Sequence, residues 1–224
     1  KIYEPLNFNK GFRFSYAPKG KKPKDYINGL YELQKAYHKF NADAEAEWTK
    51  TNEDKPYKEQ KLPAAFICSG ERDSLCCHSM GFYPIWFNSE TAILEPDQYR
   101  EIMKCVEVLY NIPDIDETGV RMGKELALKY IDIHTIWLPK WLSTYYDNRG
   151  KSRKDLRDWM EIRRKKQDFR NLMKLALPAK FWTSKQNKDG QWRHDIDSVC
   201  LFYFLRINGF YALHDENSTT TQYV

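Results

Sequence analysis

Two aspartates separated by one residue follow an apolar run, in the segment Pro113-Asp114-Ile115-Asp116-Glu117-Thr118-Gly119. Because alternate side chains of an extended chain point to the same side, Asp114 and Asp116 are predicted to present their carboxylates together. Such oxygens suit a hard divalent cation, with water and phosphate oxygens filling the remaining positions. Gly119 permits a tight entry into a following helix, whose amino terminus favours phosphate. The alternative is a solvated turn with helix-capping residues.

Two further polar segments follow apolar runs. Glu71 and Asp73 come after the run 64–68 and add two candidate acids. Downstream, Lys154 is a candidate contact for a triphosphate, and the alternative is an exposed lysine at a helix start. Asp155 and the aspartate three residues later are either outer metal contacts or helix caps, and capping is the favoured interpretation.

The elements that must position these residues alternate between strand and helix. Continuous apolar runs predict strands buried on both faces. Such alternation with short connections implies a mostly parallel sheet with helices on its faces, where ligands bind at the carboxyl ends of the strands. The predicted strands are 64–68, 83–87, 108–112 and 131–138, and the predicted helices are 73–80, 97–106 and 118–130.

Composition bounds the class of protein. With 224 residues, 42% hydrophobic and 15% aromatic, the chain can fold as one medium or two small domains without disulfides. No apolar stretch approaches the ~20 residues of a membrane span, so no membrane partner is expected. Five cysteines without a C-x-x-C pair predict reduced thiols in the cytoplasm and no zinc. The chain lacks an initial Met, and we expect it to be part of a longer protein.

The two ends of the chain differ from its middle. Residues 1–60 mix aromatics with basic side chains. One interpretation is a segment that binds single-stranded nucleic acid. The alternative is a small sheet that packs on the core. Within them, a helix capped by Asp25 is expected to run to Phe40, followed by a linker or an extended solvated helix over 41–60. Basic amphipathic helices are predicted at 155–164 and 168–177. The basic candidates for nucleic-acid binding are Lys10, Arg13, Lys19, Lys21 and Lys22.

The order of these motifs resembles the Toprim domain, most closely that of DnaG-type primases and of phage or plasmid primase–helicases. The resemblance covers about 62–160 and depends mainly on the D-x-D-x-x-G segment and the downstream Lys154-Asp155. It implies an α/β fold with a mostly parallel four-stranded sheet flanked by helices. A basic α+β subdomain over 1–60 would precede the Toprim domain at 61–165, and a helical extension over 166–224 would lead to a following domain, expected to be a helicase.

The sequence departs from the family at Ser69, where the family usually has a glutamate before the glycine of its first motif. Glu71 is one candidate to replace that glutamate. Glu90, at the carboxyl end of the second strand, is another. The third alternative is a domain that has lost catalysis and retained binding.

The resemblance implies a DNA primase core that joins ribonucleoside triphosphates on single-stranded DNA, with Mg²⁺ or Mn²⁺ and a replicative helicase as partner, in a bacterial or phage-infected cell. Glu71, Asp114 and Asp116 would be catalytic, and Asp73, Asp114, Asp116 and Glu90 would bind metal. Lys154 and Gly119 would contact nucleotide phosphate. The alternatives are a Toprim nuclease and a non-catalytic nucleic-acid-binding module. A response-regulator or phosphatase-like domain would also use clustered aspartates, but the arrangement of residues downstream of Asp114 and Asp116 does not agree with such a domain.

Overall fold

The computed structural model describes residues 26–51, 55–88 and 92–210, with short pieces at 2–3, 6, 8–9, 14–15, 212–214 and 221–223. The chain divides into two compact units, 1–107 and 108–224, and the division falls inside a strand. The domain boundaries expected at residues 60 and 165 remain predictions. Among the described residues, no helix combines the length and the apolar character that crossing a membrane requires.

The first unit is built around a parallel strand pair. Strand β4 is apolar along its length, and its last four residues, Ala65 to Cys68, are at most 4% exposed. It pairs in parallel with β5, and β3 pairs with β5 in the antiparallel direction. Its elements are β1 (Ile2–Tyr3), β2 (Phe14–Ser15), β3 (Ile27–Asn28), α1 (Leu30–Thr51), β4 (Leu62–Cys68), α2 (Glu71–Ser79), β5 (Pro84–Phe87) and α3 (Pro96–Cys105).

The second unit repeats this plan. Leu109 in strand β6 is fully buried, and β6 pairs in parallel with β7, which pairs in turn with antiparallel β8. A 3-10 helix, Lys140–Thr144, follows β7. The remaining elements are β6 (Val106–Ile112), α4 (Glu117–Lys129), β7 (His134–Thr135), α5 (Leu156–Arg163), α6 (Lys166–Met173), β8 (Leu177–Pro178), β9 (Trp182–Gln186), β10 (Trp192–Ile196), α7 (Ser198–Ile207), β11 (Ala212–His214) and β12 (Thr221–Tyr223).

This architecture confirms the mixed α/β class and the parallel pairing of the predicted strands within each unit. Three details differ from the prediction. The fourth strand is only His134–Thr135, although Ile133, Ile136 and Leu138 around it are buried. The segment after the Toprim-like region contains the hairpin β9–β10 as well as helix α7, so it is not purely helical.

Helix α1 is the third difference, because it begins at Leu30, after strand β3, and not directly after Asp25. It continues through polar residues to Thr51, which agrees, as far as that residue, with the extended-helix alternative for 41–60. The buried side chain of Asn41 explains the extension. Its amide nitrogen donates to the carbonyl of Gln60 at 2.9 Å, and its oxygen accepts from the Gln60 backbone N–H at 2.8 Å and from the Tyr57 hydroxyl at 2.9 Å. These bonds fasten the segment that follows the helix along its side. The predicted cap, Asp25, lies outside the described residues.

Candidate active site at the end of strand β6

The two aspartates lie where β6 gives way to α4. Asp116 is the N-cap of α4, and its Oδ1 accepts a hydrogen bond from the Gly119 backbone N–H at 2.8 Å. Asp114, two residues earlier, is 7% exposed. A buried strand followed by a capped helix therefore fixes both carboxylates at the carboxyl end of a parallel strand, the position at which open α/β sheets bind their ligands.

Gly119 is required by packing. A Cβ atom at this position would lie 2.4 Å from the Asp114 carbonyl oxygen and 2.7 Å from the Asp114 Cβ. Real side chains do not approach so closely, so any other residue would push α4 away from Asp114. The predicted tight entry into the helix therefore has a steric cause, while a phosphate contact at Gly119 remains a prediction.

Lys154 joins the two aspartates. Its Nζ lies 2.8 Å from Asp114 Oδ2 and 2.5 Å from Asp116 Oδ2. Burial by itself lowers the pKa of Lys154, but the bonds to both carboxylates outweigh burial and raise that pKa above its usual value. The predicted triphosphate contact of this lysine is untested; in the structure, its ammonium binds the acids.

The same balance applies to Asp116. Burial raises the pKa of Asp116, yet the hydrogen bonds from Lys154 and from the Gly119 N–H outweigh burial and hold that pKa below its usual value. The low pKa of Asp116 and the high pKa of Lys154 keep these two groups charged at neutral pH. The cluster is thus an anionic site with one built-in cation.

The loop that carries Lys154 is fixed by its own bonds. The backbone carbonyl of Lys154 accepts from the Ile115 N–H at 3.0 Å, between the two aspartates. The backbone N–H of Lys154 donates to Asp158 Oδ2 at 2.9 Å. Arg153 in turn pairs with Asp158 and, at 2.6 Å, with Glu161. Lys154 is therefore held by the backbone on one side and by an ion-pair network on the other.

Asp155 caps α5, as expected, because its Oδ1 accepts from the Asp158 N–H at 2.7 Å. Burial raises the pKa of Asp155, and the nearby charges of Asp158 and Asp114 raise it further, against the lowering effect of the capping bond. Asp155 therefore belongs electrostatically to the Asp114–Asp116 cluster. The sequence offered Asp155 as a helix cap or as an outer metal contact and favoured the cap; the capping bond is present, and a metal contact remains a prediction.

The donor set fits a hard divalent cation. Asp114 Oδ1 is buried and accepts no hydrogen bond from any described residue. Together with Asp116 it offers oxygen ligands, whereas no group of three or more His, Cys, Asp or Glu that could hold a metal occurs among the described residues. Mg²⁺ is commonly bound by one or two carboxylates, with waters and substrate phosphates completing its octahedron. Asp114 and Asp116 would hold such an ion.

Other predicted site residues lie in the first unit. Glu71 is the first residue of α2 and is exposed, while Asp73 lies in the same first turn and is 5% exposed. Ser69 and Gly70 precede them, and the Ser74 hydroxyl donates to the Gly70 carbonyl at 2.8 Å. The first motif thus forms a strand-to-helix turn as predicted, and the metal and catalytic roles of Glu71 and Asp73 remain predictions.

Several predicted residues lie outside the described residues. They are the acid Glu90 and the five basic residues Lys10, Arg13, Lys19, Lys21 and Lys22. The structure therefore brings together Asp114, Asp116, Gly119 and Lys154 of the predicted set.

No family model and no curated protein matches this sequence. The solved structures that the chain matches are primase catalytic cores. A DnaG primase catalytic domain bound to single-stranded DNA has a TM-score of 0.46 and 15% identity, over 76% of this chain and 45% of that one. The Escherichia coli primase catalytic core has a TM-score of 0.43 and 16% identity, over 70% and 41%.

The zinc-binding and RNA polymerase domains of Aquifex aeolicus primase have a TM-score of 0.44 and 17% identity, over 72% of this chain and 32% of that one. These structures are of the class that the order of motifs resembles. The chain spans less than half the length of each of the three.

Proposed function

We propose that this chain is the core of a DNA primase that makes short RNA primers on single-stranded DNA by Mg²⁺-dependent nucleotidyl transfer. The observation that carries the proposal is the pair of carboxylates at the end of β6, held by one lysine. The Toprim-like order of motifs around that pair supports the same class. A replicative helicase, on the same chain or separate, is the proposed partner.

In this reaction the 3′-hydroxyl oxygen of one nucleotide bonds to the α-phosphorus of the next, and pyrophosphate leaves. A divalent cation supplies charge neutralisation at the phosphate oxygens. Asp114 and Asp116 would hold that cation, and the N-cap bond to Asp116 Oδ1 orients its other oxygen, Oδ2, which binds Lys154. Lys154 bonds to both carboxylates, and its hydrogen bond lowers the pKa of Asp116. Glu71 is the candidate to accept the proton of the attacking hydroxyl.

A primer-synthesis assay tests the proposal. Wild type, with single-stranded template, labelled ribonucleoside triphosphates and Mg²⁺, is expected to yield short labelled oligoribonucleotides. Asp114→Asn/Asp116→Asn preserves shape but removes both charges, and product should fall by at least about 10²-fold, because charge stabilisation is usually the largest catalytic contribution. Glu45→Gln/Glu47→Gln, on the exposed face of α1, is the control with the same charge change and should leave activity unchanged.

Ser69 favours a second candidate, a non-catalytic nucleic-acid-binding module. Loss of the first-motif acid would leave binding intact and remove the base. Ser69→Glu separates the two cases: a primase with a substituted base works with or without the change, whereas a lapsed module gives no primer in either form. Degradation of the template without joined ribonucleotides would instead identify a Toprim nuclease.

A further inference from the structure

A dense group of cations lies on the second unit, outside the carboxylate cluster. Residues 163–174 contain six lysines and arginines and one acid, so this segment carries a net charge equal to the +5 of the entire chain. All six cationic side chains are exposed. We name them the basic stripe: Arg163, Arg164, Lys165, Lys166, Arg170 and Lys174.

The fold holds this stripe to one side. Arg164 adopts a left-handed conformation, with φ of 58°, which ends α5 and lets α6 begin two residues later. Phe169 is fully buried and its ring contacts that of Trp159, with centroids 6.3 Å apart, so one face of α6 is fixed against the unit. Lys166, Arg170 and Lys174 recur every four residues on the exposed side. Like charges at this spacing destabilise a helix, so the arrangement does not serve the helix itself.

Aromatic rings lie beside the stripe. The Arg163 guanidinium is 5.0 Å from the centroid of the Trp141 ring, and the Tyr145 ring meets Trp141 edge-on at 5.8 Å. Tyr145 is 50% exposed. Cations that follow a phosphate backbone, next to aromatic faces on which bases stack, are the combination that binds single-stranded nucleic acid. A merely solvated basic helix would not need the rings.

The aromatic end of this surface leads directly to the carboxylate cluster. The Arg153 N–H donates to the Tyr145 carbonyl at 2.9 Å. The next residue is Lys154, whose ammonium bridges Asp114 and Asp116. A strand lying on the stripe and on Tyr145 therefore arrives at the candidate active site of the same unit.

We propose that the basic stripe, with Trp141 and Tyr145, binds the backbone and bases of single-stranded DNA and guides it toward the Asp114–Asp116 cluster. This surface is separate from the basic amino-terminal segment expected from the sequence. That the bound strand is the template rests on the proposed function, whereas binding itself does not.

Equilibrium binding of a fluorescent oligodeoxynucleotide at several salt concentrations tests the surface. Lys166→Gln/Arg170→Gln/Lys174→Gln is expected to weaken binding about tenfold near physiological salt. It should also reduce the slope of log K against log[salt] by about 2, at ~0.7 per lost phosphate contact. The matched control, Lys35→Gln/Lys39→Gln/Lys58→Gln, removes three exposed lysines of the first unit and should keep both the affinity and the slope of wild type.

An unchanged slope in the stripe variant, or an equal loss in the control, would overturn the proposal. The three substituted residues are exposed, so the melting temperature of the variant should not fall below that of wild type. Should this variant misfold, the charge-preserving Lys166→Arg/Lys174→Arg protein supplies the second test, because it must bind as wild type does.

Tyr145→Leu tests the stacking component. It should weaken binding of single-stranded DNA about tenfold and leave binding of heparin, a polyanion without bases, unchanged. Equal effects on both ligands would reduce the surface to a general polyanion site and overturn this part of the proposal. Asp114→Asn/Asp116→Asn should bind DNA as wild type does while making no primer, so failure of the binding surface and failure of the primase proposal are distinguishable.

Discussion

Removal of the Lys154 ammonium is the sharpest perturbation of the candidate site. In Lys154→Met, the Asp114 side chain, 9% exposed, and the half-buried Asp116 keep their positions but lose their shared cation. Breaking a fully buried ion pair costs about 3–5 kcal/mol, and breaking an exposed one about 0–1 kcal/mol. Since Lys154 and Asp116 are each more than a third exposed, we expect a loss of about 2 kcal/mol in the free energy of unfolding at pH 7.

The sign of the pH dependence follows from Asp116. Its pKa is lowered in the folded protein, so it contributes stability above its unfolded pKa, and that stability disappears as the pH falls through the folded value. The variant lacks this contribution. The difference between wild type and Lys154→Met should therefore be largest at pH 7 and shrink as the pH falls below 4.

Urea denaturation at pH 7 and below pH 4, each with and without Mg²⁺, measures the free energy of unfolding of the two proteins. Without its built-in cation, the variant should gain about 1.4 kcal/mol of stability at a Mg²⁺ concentration tenfold its dissociation constant, and wild type should gain less at the same concentration. Lys151→Met, which removes an exposed lysine three residues earlier, is the control. If Lys154→Met is as stable as this control at pH 7 and no more responsive to Mg²⁺ than wild type, the built-in cation has no role in the site.

Three further predictions concern the same unit. Gly119→Ala should lower the free energy of unfolding by about 2 kcal/mol, measured by thermal denaturation, because its Cβ would overlap the Asp114 backbone. Gly70→Ala is the control: no atom lies within 4 Å of the added Cβ, so its stability should be nearly that of wild type. Asp155→Asn should retain the α5 cap and, because the raised pKa of Asp155 marks an unfavourable charge, should be at least as stable as wild type at pH 7 by urea denaturation. Carbon-13 NMR should give Asp147 a pKa of about 2, because backbone N–H bonds and a neighbouring guanidinium stabilise its charge, and a value near 4 would contradict this turn geometry.

The regular part of the fold was predictable because single local patterns define it. The continuous apolar run in β6 and the capping aspartate of α4 both lie within a few residues of the elements that they specify. The hairpin β9–β10 also had a local signal, the turn Asp189-Gly190 between two short runs that each begin with Trp, and it was missed. The apolar run that follows the hairpin, and that forms α7, favoured a helical segment and outweighed the signal of this turn.

Other features depend on contacts between distant residues. The end of α1 at Thr51 depends on Asn41, whose partners lie up to 19 residues away. The short β7 depends on which residues of an apolar run pair with β6: His134 pairs with Tyr110 and Thr135 with Asn111. The ion pair of Lys154 with Asp116 joins residues 38 apart, so its position in the sequence indicated a lysine near the site and not the group that it binds.

The ion pairs of Lys154 with both aspartates are compatible with two roles for this lysine, a contact for phosphate and a structural counter-ion. Two carboxylates this close would repel each other, and the ammonium between them offsets that repulsion. Lys154 Nζ is bonded to Oδ2 of each aspartate, so a divalent cation that bound those two atoms would displace it. The displaced ammonium would then be available to bind the phosphate oxygens of a nucleotide. We therefore expect Mg²⁺ and a nucleoside triphosphate to bind cooperatively in wild type, and to bind without that coupling in Lys154→Met. Calorimetric titration of each ligand in the presence and absence of the other measures the coupling, and equal coupling in the two proteins would show that Lys154 is a counter-ion only.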